Sequence, residues 1–152
     1  MKKKRWLLLI LFIFLVGCGS KSVTLSEFIE KATFDGYIIR EDKSGYESYD
    51  KVLSVHYAIN REDAYDIQFL ELKDADYAHR FFVLNQKEIK NDITGSDYEK
   101  NKSNSNYDLY HAENSVKYYL VIRSYSNIIY IEAPLGYMNE IEEFLDDLGL
   151  EY

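Results

Sequence analysis

Residues 53–69 read LSVHYAINREDAYDIQF, and their alternation decides the fold class. Leu53, Val55, Tyr57 and Ile59 alternate with Ser54, His56, Ala58 and Asn60, the period of a strand with one buried face. Residues 60–63 are turn formers, after which Tyr65, Ile67 and Phe69 resume the alternation. So short a turn joins antiparallel neighbours.

Upstream, Thr24 and Glu27 have the spacing of a capping box, with Val23 and Phe28 placed as a hydrophobic staple. This predicts a helix over 25–33, stopped at Gly36, then a short strand over 37–40 and a polar loop over 41–50 containing Gly45. Downstream, Asp74 caps a helix that carries Ala78, Phe81, Phe82 and Ile89 on one side. Residues 91–106 are polar and hold Gly95, Ser96, Ser103 and Ser105, so a mobile loop is expected there.

Strand signals then return. They cover 107–112, Val116 to Ile122, and 127–133, with a turn at 124–127. A last helix carries Ile141, Phe144, Leu145 and Leu148 and ends near Gly149. The pattern is a helix followed by strand-strand-strand-helix twice. Ile67 and Phe69 precede Ile128 and Tyr130 by 61 residues, and Ala78, Phe81 and Phe82 precede Ile141, Phe144 and Leu145 by 63. That spacing is compatible with a duplicated unit and equally with chance. The expected architecture is α+β: an antiparallel sheet of about six strands with helices on one face.

The N-terminus is of a different kind. Lys2, Lys3, Lys4 and Arg5 precede an unbroken apolar run from Trp6 to Val16. Eleven residues span roughly 16 Å as a helix, against about 30 Å for a bilayer core. A charged segment before a short apolar one has the form of a secretion signal. It ends in Leu15-Val16-Gly17-Cys18, which resembles the lipobox of bacterial lipoproteins. The resemblance covers about the first twenty residues. It implies cleavage after residue 17, a diacylglyceryl group on Cys18, and a lipid-anchored protein on the extracytoplasmic face of the cell membrane. Residues 1–17 are then signal, 18–23 the lipidated end and a short linker, and 24–152 one α+β domain. Gly19 to Val23 reaches at most about 17 Å, so the domain should lie near the membrane. The mature layout resembles small surface lipoproteins of single-membrane bacteria that carry no assigned activity.

Beyond residue 17 there are 14 Lys and Arg against 26 Asp and Glu, a net charge of −12. Such a surface repels nucleic acid, which is excluded as a partner. Cys18 is the only cysteine, so the domain has no disulfide and no thiolate nucleophile. His56, His79 and His111 show no metal-ligand spacing, and no Gly-x-Ser-x-Gly or phosphate-loop motif occurs. The acidic groups (Glu62, Asp63, Asp66; Glu71, Asp74, Asp76; Glu140, Glu142, Glu143, Asp146, Asp147) read as solvated or capping faces, with weak divalent-cation binding as the functional remainder. No residue is assigned a catalytic, cofactor-binding or metal-binding role.

Tyrosine is the unusual signal. Tyr46, Tyr49, Tyr98, Tyr107 and Tyr110 fall in or near polar loops, where aromatic rings serve partner binding; strands also simply favour Tyr. The expected function is a non-enzymatic binding or scaffolding domain held at the membrane through Cys18, with an envelope protein or a glycan as partner. The alternative is a small envelope enzyme whose site is assembled from scattered His and carboxylates.

Overall fold

The computed structural model describes residues 22–152. The expected signal segment, residues 1–17, and Cys18 lie outside these residues. Helix α1 (Leu25–Phe34) begins where the capping box places it: the Thr24 amide donates to Glu27 Oε2 at 2.8 Å, and the Glu27 amide to Thr24 Oγ1 at 3.3 Å. It ends in Gly36 at φ +84°, where the Tyr37 amide reaches back to the Ala32 carbonyl and the Gly36 amide to Thr33. Val23 and Phe28 are both buried in one cluster, so the core begins one residue before the cap.

Strands β1 (Ile38–Glu41), β2 (Val52–Ile59) and β3 (Asp66–Leu72) form a meander. Helix α2 (Ala75–Asp92) follows, with the Asp74 carboxylate accepting from the Tyr77 amide at 2.7 Å. It carries the chain across a face of the sheet to the far edge. From there β4 (Tyr98–Ser103), β5 (Tyr107–Glu113), β6 (Lys117–Ser124) and β7 (Asn127–Pro134) step back to the centre. There β7 pairs with β3, giving the order β1-β2-β3-β7-β6-β5-β4, antiparallel throughout. Helix α3 (Met138–Asp147) closes the chain, and its end at Gly149 repeats the α1 geometry. Among the described residues, no helix is long and apolar enough to cross a membrane.

Four sequence expectations need correction. The sheet has seven strands, because β4 forms within the stretch expected to be a mobile loop; all six of its residues are exposed, so no apolar alternation marks it. Helices cover both faces rather than one. Phe28, Phe69, Leu120, Ile131 and Phe144 pack on the α1/α3 face, while Val55, Leu70, Phe82, Val121 and Ile128 pack on the α2 face. Strand β2 is accordingly buried on both sides. A bulge between Val52 and Ser54 turns Leu53 outward to 58% exposure, while His56, expected on a polar face, is buried.

The duplication also fails. β3 and β7 are antiparallel neighbours, so the only rotation that exchanges them is a two-fold axis normal to the sheet. That axis would place α2 and α3 on the same face, and they lie on opposite faces.

The strands give the molecule two distinct ends. One carries Leu72, Ser124 and Asn127, and Val23 joins it through a 3.0 Å bond from Asn127 Nδ2 to the Val23 carbonyl. The other carries Asp66, Lys117 and Pro134, one strand length away, or about 24 Å. The first is the near end and the second the far end.

Candidate functional site

At the far end α2 no longer covers its face of the sheet, and a cleft of about 490 Å³ opens over β3, β7 and β6. Its floor is built by register. Asp66 lies opposite Glu132, and Gln68 opposite Tyr130. All four side chains share the face of Leu70 and Ile128, because side chains alternate along a strand. The rim is Val116, 65% exposed, from the β5–β6 turn. Tyr46, brought in by the loop after β1, donates its hydroxyl to Gln68 Oε1 at 2.8 Å and packs against Phe81 of α2.

The electrostatics are uneven. Burial raises the Asp66 carboxyl above its ordinary value, and Asp63 and Glu132 push the same way against Gln68 and Arg40. Lys117 donates to Glu132 at 2.7 Å and to the Tyr119 hydroxyl at 2.8 Å; these bonds hold its ammonium protonated well above the usual range. Asp92, at the end of α2, joins through Tyr119 and Lys117. Burial pushes Tyr46 up to about 12 and Tyr130 higher, so both phenols stay neutral at any physiological pH. The cleft therefore offers the Tyr130 ring and hydroxyl, the Gln68 amide and more carboxylates than cations.

The turn beside it is rigid. Asn60 Oδ1 accepts from the Ala64 amide at 2.8 Å, and Asp63 takes φ +53°. Across that turn, on the α1/α3 face, Tyr37 and Tyr65 hydroxyls meet at 2.6 Å, and Tyr65 donates to Glu140 at 2.7 Å. Glu62, at the same end, accepts from Tyr137 at 2.6 Å. The far end as a whole is acidic.

The histidines do not converge. His56 on β2 and His111 on β5 stand four strand positions apart, about 19 Å, and His79 lies on α2. His56 Nε2 and His111 Nε2 have no hydrogen-bond partner among the described residues. Burial lowers the His111 pKa against the opposing pull of Glu113. His79 Nδ1 bonds Asp108 at 2.8 Å, and Asp108 also accepts from Arg123 and Ser103. This joins Ser, Asp and His with the carboxylate in the middle, so the imidazole is not placed to take the serine proton. Arg123 spends its remaining donors on the Asn104, Ser105 and Tyr125 carbonyls, which makes the group a brace between loops. Among the described residues, no three His, Cys, Asp or Glu side chains stand together as a metal site.

The tyrosines divide. Tyr107 and Tyr110 are core residues, Tyr46 bonds Gln68 from outside the cleft lining, Tyr49 packs on Phe81, and Tyr98 lies beside His111 at the β4 edge. They form no single patch. No local sequence signal links the cleft residues Asp66, Lys117, Tyr130 and Glu132, because only the β3–β7 and β6–β7 pairings unite them. Comparison with protein-family models, with curated proteins and with solved structures finds no match.

Proposed function

We propose that this chain is a membrane-anchored extracytoplasmic lipoprotein whose domain binds a partner rather than transforms a substrate. The anchor rests on Leu15-Val16-Gly17-Cys18 behind a charged and apolar leader. The binding role rests on one observation: the far-end cleft combines the Tyr130 phenol, the Gln68 amide and an excess of carboxylates. Such a surface favours a cationic, hydrogen-bonding group, as on a basic segment of an envelope protein or an amine-bearing glycan. Placing a photo-crosslinking amino acid at Val116 in intact cells tests the binding surface, with Leu53 as control. A specific product from Val116 and none from Leu53 is expected; equal yields would remove the cleft from the proposal. Labelling with a fatty-acid analogue tests the anchor. Wild type should take the label and Cys18→Ser should not.

A further inference from the structure

The β6–β7 hairpin turns through Tyr125 and Ser126, and Tyr125 stands at φ +57°. With a positive φ at its first central residue only, the turn is of the kind that takes glycine there. A tyrosine persists in that conformation only where its surroundings hold it. They do so on every side. The Tyr125 amide donates to the Asn106 carbonyl at 2.8 Å, Arg123 Nη1 to the Tyr125 carbonyl at 3.3 Å, and the Leu72 amide to the Ser126 carbonyl at 3.0 Å. Arg123 is itself buried against Asp108. All this rigidity presents an aromatic ring to solvent. Tyr125 is 42% exposed.

The turn is also where the N-terminal segment arrives. Asn127, two residues on, holds the Val23 carbonyl, and Val23 is buried. Only residues 19–22 separate it from Cys18, a reach of at most about 17 Å. Exposed Lys73 adjoins the turn through Leu72. Carboxylates stand at this end too: Asp74 is engaged by the start of α2 and by Lys51, and Glu71 by Ser54, while Asp50 and Asp76 are exposed. The far end, with Glu62, Asp63, Asp66, Glu132 and Glu140, is a strand length away.

We propose that the near end rests on the bilayer that holds the Cys18 anchor, with the Tyr125 ring in the headgroup layer and Lys73 beside the lipid phosphates. This rests on the lipoprotein reading above. A phenol is suited to that layer, its ring apolar and its hydroxyl wet. Two acyl chains hold the protein there stably. The orientation aims the cleft outward, where a partner can reach it.

The test uses the full lipidated protein in phosphatidylcholine/phosphatidylglycerol vesicles. A bimane label goes on a cysteine at Ser126, which keeps Tyr125, or at Ser115, at the far end. Acylation of Cys18 leaves each new thiol the only free one. With a headgroup-attached quencher, the label at 126 should be quenched at least threefold more than that at 115, and Tyr125→Ser should reduce the difference. Equal quenching, or more at 115, in protein that sediments with the vesicles overturns the orientation alone. A ratio unmoved by Tyr125→Ser removes the tyrosine's part in it. Protein that fails to sediment overturns the anchoring reading, and this inference with it.

Discussion

Asp66 and Asp108 are carboxylates placed in opposite electrostatic circumstances. Burial raises the Asp66 carboxyl, so its ionisation works against folding above that raised pKa. Asp66→Asn should therefore stabilise the domain at pH 7, with the gain fading as pH falls through the raised value and gone below about 4, where both states are protonated. Urea midpoints of the two proteins at pH 7 and pH 3.5 check this; a loss of stability at pH 7 would show that Asp66 is structural rather than kept for the cleft. Burial would raise Asp108 too, but Arg123, Ser103 and His79 overcome it and hold the pKa low. Its stabilisation is present above about pH 4 and disappears as pH falls through the depressed value. Arg123→Met leaves that carboxylate buried without its cation and should remove about 3–5 kcal/mol at pH 7. The double variant Arg123→Met/Asp108→Leu should recover much of it, again read from urea midpoints.

At the scale of elements, legibility followed how each element is stabilised. α1 could be read to the residue because its signals are local: Thr24, Glu27 and Gly36 act within a turn of where they stand. β4 could not, since its Tyr-Glu-Lys-Asn-Lys-Ser sequence buries nothing and becomes a strand only by pairing with β5. Its two lysines suit an edge, where charge discourages pairing between molecules. Two-faced burial was written in the unbroken runs Tyr118 to Ile122 and Ile128 to Ile131, which an alternating strand would not show. The alternation in β2 drew the reading toward one covered face instead, and the bulge at Leu53 hid the misfit. The cleft had no local signal, because Asp66 and Glu132 meet only across a pairing 66 residues apart in sequence. Replacing residues 95–105 with a short Gly/Ser linker now carries a definite expectation. It strips β5 of its outer partner, takes away the Lys100 and Lys102 bonds to the C-terminal residues, and frees Asp108 from Ser103. The thermal midpoint should fall by roughly 10 °C, the equivalent of a few kcal/mol in a domain of this size. An unchanged midpoint would mean that β4 adds nothing to the fold.

For the molecule as a whole, the decisive contact is between β3 and β7. Every other neighbouring pair of strands is joined by a short connection, whereas these two come together only after α2 and the whole second meander have formed. Loop closure over that separation must precede its reward, so folding should be slow for a chain of this length. The same pairing fuses the two cores. Phe69 and Leu70 are consecutive on β3, yet Phe69 packs with Phe28, ring centroids 5.0 Å apart, on the α1/α3 face, and Leu70 with the α2 cluster on the other. Neither core keeps its floor without the shared strands, so the described residues should unfold in one transition. Phe69→Ala should cost about 3–5 kcal/mol and Leu70→Ala about 2–5 kcal/mol, both residues being fully buried. Each should move the whole transition rather than split it. The measurement is urea unfolding followed together by far-ultraviolet circular dichroism and by tyrosine fluorescence in a Trp6→Phe background, Trp6 being the only tryptophan. Coincident curves shifted to lower urea in both variants are expected. If Leu70→Ala separated the two probes while Phe69→Ala did not, the α2 face would be an independently melting layer, and the pairing of β3 with β7 would not be what unites the molecule.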